Sequence, residues 1–415
     1  MRLVLLLCVL LTILIADGQI TTQFDPSGRS SFSLKNTSIV LRGSNYLRLI
    51  STRIHVLFEP DLYSLWDVET ALIQMHSYGY NYVRVFLDCP NLSRGFGLSS
   101  PGVSINYTKN IVDFLIRAAN HQIYVMLSAS WNPGNYQSII NSYPKPANVT
   151  GTNLMIFHAG QAAAKAQFFK DLLQDIRNTS SRAFENIFAI DIFDEISVSV
   201  HEEPFNLTFG IVTFKDISYD MAKGVDRQAL VDLAGNIWLN TTAAAIKSIA
   251  PTILVTASLF SPNAVGHHGF DGVQTRPPNA DDRYPLRPAS LIDSLADYID
   301  LHVYASNNSN AEMQGADLSK TKPLLMGETG AARARFSSAF SAAYAIKNVM
   351  IESVNYGFNA WSIWNWDTVE QLTRWTLTEQ NNTMNNILAP SVWPIVGPNQ
   401  TLSLATNLLS DSKHQ

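Results

Sequence analysis

Five carboxylates fall within thirteen positions of the segment FAIDIFDEISVSVHEEP, residues 188–204. Three of them, Asp191, Asp194 and Glu195, sit in or just after an apolar run that reads as a buried strand. A fourth chemically capable acid, Glu328, lies in the apolar segment PLLMGETG. Two carboxyl groups aimed at one cleft can divide the work of breaking a glycosidic bond. One protonates the leaving oxygen while the other attacks the anomeric carbon or activates water. Other residue types suit the same chemistry. His302 and Tyr304 alternate onto one face in DLHVY. Trp364, in WSIWNWD, offers a flat ring to the C–H face of a pyranose, and Trp131 offers a second wall. Arg84, inside YVRVF, is a cation in an apolar strand and needs a carboxylate to offset burial. That partner is either a reacting acid or a structural one such as Asp88.

Competing chemistries lack their signatures. His201 in HEEP has no second histidine at helical zinc spacing, and the pair at His267 in GHHG has no partner at ligand spacing. There is no G-x-S-x-G elbow and no G-x-G-x-x-G turn. No metal and no cofactor is expected. Glu202 and Glu203 read as solvated charge on a polar loop, and Cys89 as a small packed hydrophobe.

Eight short apolar segments recur along the chain: SIVLRGSNY, NYVRVFL, QIYVMLSA, NIFAIDIF, TILVTASL, YIDLHVY, KPLLMGE and FNAWSIWNW. Amphipathic stretches follow most of them. In YTKNIVDFLIRAAN, Ile111, Phe114, Leu115 and Ala118 share one helical face. Alternation of strand and helix predicts parallel pairing, and eight units predict an α/β fold, a (β/α)8 TIM barrel forming a single catalytic domain. Active sites of such barrels collect at the C-terminal strand ends, where the fourth strand delivers Asp194–Glu195 and the seventh Glu328. Leu324, Met326 and Glu328 alternate to one side, so Glu328 should rise from the barrel interior.

The ends of the chain suggest its address. Arg2 precedes an apolar run of thirteen and then ADGQ, which reads as a secretory signal peptide over residues 1–18. Residues 19–384 form the barrel domain in this reading, and 385–415 a C-terminal tail that either packs under the barrel or trails free. Ten N-x-[ST] sequons, at Asn36, Asn91, Asn106, Asn148, Asn178, Asn206, Asn240, Asn307, Asn381 and Asn399, fit a secreted, extracellular glycoprotein. With Cys8 in the leader, only Cys89 is left, so no internal disulfide forms and a large core must supply stability. A formal charge of −5 without any Lys/Arg block makes nucleic acid and anionic membranes poor partners, and a carbohydrate substrate the expected one.

The segments VLRGSNYLRL, YNYVRVF, FDEIS, DLHVYA, KPLLMGETGA and WSIWNWD together resemble the successive strand signatures of the clan A retaining glycoside hydrolases, in the cellulase-like family 5 branch. The resemblance runs in order from Ile39 to Asp367. It implies Glu195 as general acid/base, Glu328 as nucleophile and Arg84 beside that nucleophile. It also implies His302 and Tyr304 as the sixth-strand pair, with the Tyr hydroxyl near the nucleophile, and Trp364 as the sugar platform. The implied activity is retaining hydrolysis of a β-linked poly- or oligosaccharide of β-mannan or β-glucan type. Two departures stand out. Asp194 replaces the family asparagine that donates to the substrate 2-hydroxyl; its charge should raise the pKa of Glu195, which either keeps the acid protonated or weakens the site. The third strand also lacks the histidine of many relatives. Strict alternation cannot aim both Asp194 and Glu195 inward, so a bulge or twist is expected there. The alternative reading is a catalytically impaired secreted carbohydrate-binding protein of the same fold.

Overall fold

The structure is a computed structural model and describes residues 18–24, 28–50, 55–87, 100–130, 132, 134–261, 283–306, 313 and 320–394. Asp88, Cys89, Trp131, His267 and residues 1–17 of the leader lie outside the described residues. Barrel strands β1 Leu41–Tyr46, β2 Tyr82–Phe86, β3 Tyr124–Ser128 and β4 Ile187–Asp191 coincide with the first four apolar segments. Strand β5 runs in two pieces, Leu254–Thr256 and Ser258–Phe260, and is followed by β6 Ile299–His302, β7 Leu324–Thr329 and β8 Phe358–Ile363.

Neighbouring strands pair in parallel, and β8 returns to β1. The break at Ala257 is where the ring closes. The first piece of β5 pairs with β4 and the second with β6, so one strand changes partner partway along and leaves the sheet without an edge. The eight-stranded barrel expected from the sequence is the fold observed.

Five helices carry most of the outer layer: α1 Leu65–Ser77, α2 Ile105–Asn120, α3 Ala159–Thr179, α4 Gly224–Ile249 and α5 Ala339–Val354. The side-chain oxygen of Ser64 caps α1 by accepting from the Asp67 amide, and Ser338 with Ser341 forms a capping box on α5. On α2 the face of Ile111, Phe114, Leu115 and Ala118 is fully buried, as its spacing predicts. Among the described residues between β5 and β6, the helical element is a 3-10 turn, Pro288–Leu291.

The lower barrel is filled by Leu41, Tyr82, Met126, Phe188, Tyr298 and Leu325. An N-terminal antiparallel hairpin, Ile20–Phe24 with Ser30–Leu34, closes that end, and its Phe32 meets the edge of Tyr298 at 5.4 Å between centroids. The beginning of the tail docks as well. Buried Arg42 on β1 donates to the carbonyls of Leu388 (2.5 Å) and Trp393 (3.2 Å), with its guanidinium 5.1 Å from the Trp393 ring. Of the sequon asparagines within the described residues, Asn36, Asn106, Asn148, Asn178, Asn206 and Asn381 are exposed and Asn240 is partly so. No helix among the described residues is long and apolar enough to cross a membrane.

Candidate active site

At the C-terminal end of the barrel the side chains change from apolar to charged, and Arg84 is the hub. Its guanidinium is fully buried and touches three carboxylates: Glu328 at 2.7 Å, Asp191 at 2.7 Å and Asp194 at 2.6 Å. It also donates to Asn45 Oδ1 (3.0 Å) and Ser128 Oγ (3.2 Å). Its cation was expected to need one acid and has three, and the partner expected of a reacting site, Glu328, is among them. Burial opposes its charge, but the surrounding carboxylates more than offset this and hold it firmly protonated.

Glu328 enters the barrel mouth and is 4% exposed, but not by the alternation expected of it. Leu324 and Met326 pack toward the helices and Leu325 fills the barrel interior, and a register shift between Met326 and Thr329 turns Glu328 inward. Besides Arg84 it accepts from the Tyr304 hydroxyl at 2.6 Å, and His302 Nδ1 lies 3.6 Å from it. The residue before it is glycine for a steric reason. A Cβ on Gly327 would sit 2.3 Å from Asp300 Oδ1, the atom to which the Gly327 amide donates at 2.7 Å. Buried Asp300 thus fixes the backbone that carries Glu328.

Beyond β4 the chain leaves the strand in a turn rather than in a bulge within it. Glu195 adopts φ 56°, its amide donates to Ser258 Oγ at 3.0 Å, and Ile196 bonds back to Ser258. This turn lets consecutive acids serve one site: Asp194 reaches Arg84 while Glu195 reaches His302, whose Nδ1 is 3.0 Å from Glu195 Oε1. One histidine nitrogen therefore stands 3.0 Å from one acid and 3.6 Å from the other. The two carboxyl oxygens can be no further apart than those lengths combined. That limit lies at the low edge of the roughly 6.5–9.5 Å of inverting pairs and accommodates the roughly 5–5.5 Å of retaining ones.

The acids differ electrostatically. Burial, reinforced by the charge of Asp194, pushes Glu195 up to about 8. Burial also raises Glu328, to about 7, against the pull of His302 and Arg84. Asp194 goes the other way: burial would raise it, but Arg84 and His302 prevail and hold it below its ordinary value. The surroundings differ in the same sense. Arg84 bonds Glu328 at 2.7 Å, whereas the Arg283 guanidinium stays 3.9 Å from Glu195, an arrangement that favours the charge on Glu328 and the proton on Glu195.

Trp364 is 7% exposed, packs edge-on against Phe86 (5.6 Å, 80°) and donates its indole N–H to Gln371. The Trp364–Asn365 peptide is cis. Trp131 lies outside the described residues, so of the expected residues Arg84, Asp194, Glu195, His302, Tyr304, Glu328 and Trp364 are brought together at one end of the barrel.

Several roles escaped the sequence reading. Asp191, singled out as a buried-strand acid but given no partner, is the buried floor beneath Arg84, bridging it to Ser128 and Ser258. Asn45, on β1, bonds both Arg84 and the Gly327 carbonyl. His55, on the loop after β1, stacks on Phe86 at 4.4 Å, and burial lowers it to about 4, so it is neutral at ordinary pH. Inward alternation marks Asn45 and Asp191; nothing in its neighbourhood marked His55. One expectation needs correcting. Glu202 is not a solvated charge, since its Oε2 accepts from Thr152 Oγ1 (2.7 Å) and the Asn153 amide (3.1 Å), pinning the loop after β3. The donor atoms of Asp194, His302 and Glu328 fall within 4.8 Å of one another, as in a metal cage. Arg84 and Tyr304 already occupy oxygens of the two acids, so the arrangement reads as an ion-pair network.

No family model matches the chain, and no curated protein matches it in sequence. Solved structures match it in fold. The β-mannanase of blue mussel, Mytilus edulis, superposes with a TM-score of 0.56 over 92% of this chain and 98% of its own, at 15% identity. The endo-1,4-β-mannanase of Rhizomucor miehei gives 0.59 over 90% and 99%, at 14% identity. The exo-β-1,4-mannosidase Op5Man5 of Opitutaceae bacterium strain TAV5 gives 0.52 at 14% identity, covering 88% of this chain but 58% of that one. The chain has the (β/α)8 fold of these glycosidases.

Proposed function

We propose that the protein is a secreted retaining β-glycosidase of the family 5 kind, acting on a neutral β-linked chain of β-mannan or β-glucan type. The observation that carries this reading is the pair Glu195 and Glu328, gathered around His302 Nδ1 at 3.0 and 3.6 Å with unlike proton affinities. Glu328, its charge oriented by Arg84 and Tyr304, attacks the anomeric carbon while Glu195 gives its proton to the departing oxygen. Water then releases the glycosyl-enzyme with Glu195 taking a proton back. The fold shared with mannanases supports a mannan as first choice of substrate. The apolar leader and the exposed sequon asparagines support secretion.

Asp194 motivates a second reading, a carbohydrate-binding protein with impaired turnover, because an ionised carboxylate cannot donate to a sugar hydroxyl. One experiment separates the two. β-Mannan, β-glucan and aryl β-glycosides are incubated with the native protein and with Glu328→Ala. Turnover by the native protein alone supports the hydrolase; sugar binding without turnover in either supports the binding protein.

A further inference from the structure

One more carboxyl group lies inside the barrel, and the two-acid reaction makes no use of it. Asp300, on β6, has no exposed surface. Its Oδ1 accepts from the Gly327 amide at 2.7 Å, and a Cβ on residue 327 would fall 2.3 and 2.5 Å from its two oxygens. Glycine therefore makes the room in which this carboxyl sits. The contact occupies one oxygen only, and Oδ2 is buried with no hydrogen-bond partner among the described residues. A backbone anchor does not call for an acid, since an asparagine oxygen would accept from the same amide. Burying a carboxylate also carries a desolvation cost that an amide largely escapes.

The group that can use its charge stands two residues along the strand. His302 is 2% exposed, and its ring spans the gap between Asp300 and the acids. Nδ1 lies 3.0 Å from Glu195 and 3.6 Å from Glu328, while Nε2 faces Asp300 Oδ1 at 4.0 Å. Nε2 is likewise buried without a hydrogen-bond partner among the described residues. That last distance is too long for a hydrogen bond, but charges so placed interact strongly in a low-dielectric interior. Burial pushes Asp300 up to about 7, against the pull of His302 and Arg84, so it exchanges its proton in the range where the acids do.

The other ionisable groups facing Asp300 are Tyr82 and Arg84 on β2, Asp191 on β4 and Tyr298 just before β6. Burial keeps both tyrosines neutral, and Arg84 and Asp191 are bonded to each other. His302, on which Asp194 also acts, is thus the group whose charge Asp300 can set. With its proton, Asp300 is a donor toward Nε2 and leaves Nδ1 as the ring position that carries hydrogen. Without it, the carboxylate draws a second hydrogen to Nε2. Nδ1 keeps its own in both cases. It can donate to Glu328 before cleavage, when that acid is charged, and to Glu195 afterwards, once its proton has gone to the leaving oxygen.

Building on the proposed hydrolase, we infer that Asp300 is a positioning residue that acts through His302. It keeps hydrogen on Nδ1, so that one donor serves whichever of Glu195 and Glu328 carries the charge. The test uses Asp300→Asn, which retains an oxygen for the Gly327 amide, together with His302→Ala and the two combined. Steady-state kinetics on a β-1,4-manno-oligosaccharide are followed across pH. Asp300→Asn should lower kcat about tenfold with little change in KM. Its acid limb should move to higher pH, because a less charged His302 pulls less on Glu328. In the His302→Ala background the same substitution should change kcat by less than about twofold. An unaltered kcat and pH profile in Asp300→Asn, or an equal loss with and without His302, overturns the inference while leaving the hydrolase intact. A second measurement covers the case in which Asp300→Asn does not fold. In nitrogen-15 NMR of the native protein labelled at histidine, the His302 signals are those missing from His302→Ala. Hydrogen on Nδ1 supports the inference, and hydrogen on Nε2 alone overturns it. Should the native protein turn over no sugar, the hydrolase reading fails, and the same spectrum still decides the state of the Asp300–His302 pair.

Discussion

Arg84 donates to Glu328 across 2.7 Å with its guanidinium fully buried. The same guanidinium holds Asp191 and Asp194, so a single cation compensates three acids in the barrel mouth. Removing it leaves those carboxylates buried with their hydroxyl donors but without the guanidinium that balances their charge. Arg84→Met should destabilise the protein by about 3–5 kcal/mol at pH 7. The deficit should shrink at acid pH, where protonated carboxyls no longer repel one another. Urea unfolding at both pH values measures it; equal loss at both would mean that shape, rather than charge, sets the role of Arg84.

The two acids should shape the pH dependence of kcat/KM. Glu328, raised by burial to about 7, gains its attacking charge as pH rises through that value. Glu195, raised by burial and Asp194 to about 8, loses its proton as pH rises further. A bell with limbs near 7 and 8 follows, each limb belonging to the coupled pair. Asp194→Asn removes a charge that keeps Glu195 protonated, so the alkaline limb should move to lower pH. Movement to higher pH would show that Asp194 acts on Glu195 in some other way.

Tyr304 gives Glu328 a hydrogen bond of 2.6 Å. A bond to a charged acceptor contributes about 1.5–3 kcal/mol. Tyr304→Phe should therefore lower kcat about 10- to 100-fold and shift the acid limb upward, since the ionised carboxylate loses a donor. Steady-state kinetics across pH reads both effects. A large change in KM alone would instead place the hydroxyl on the sugar.

The start of the tail is part of the fold. Trp393 is 3% exposed, and its carbonyl and that of Leu388 accept from Arg42. Ending the chain after Met384 should leave Arg42 unpaired and cost several kcal/mol, an effect of the order of breaking a buried charge network. A truncated protein melting with the full chain would refute this.

Much of this arrangement is legible in the chain because strand periodicity and burial act locally. Arg84 follows the inward-facing Tyr82 at period two inside an apolar strand, so it declares its direction and its need for partners. Glu328 shares the period of Leu324 and Met326, which pack toward the helices, and the register shift that turns it into the mouth is not visible in local alternation. Neighbouring positions were less legible when their roles come from distant segments. Asp191 acquires its role from Arg84 and Ser258, both remote in sequence. Glu202 reads as loop charge until the turn at Gly151 is folded against it. The turn at Glu195 depends on Ser258, from the strand that closes the ring, which is why alternation alone could not place two adjacent acids in one site.

The most direct measurement is the configuration of the freshly formed product. Proton NMR of a β-1,4-manno-oligosaccharide during the first minutes of hydrolysis should show the β-anomer of the new reducing end, with the α-anomer appearing only later by mutarotation, and Glu328→Ala should give neither. Initial release of the α-anomer, or undiminished hydrolysis by Glu328→Ala, would contradict Glu328 as nucleophile and Glu195 as its acid partner.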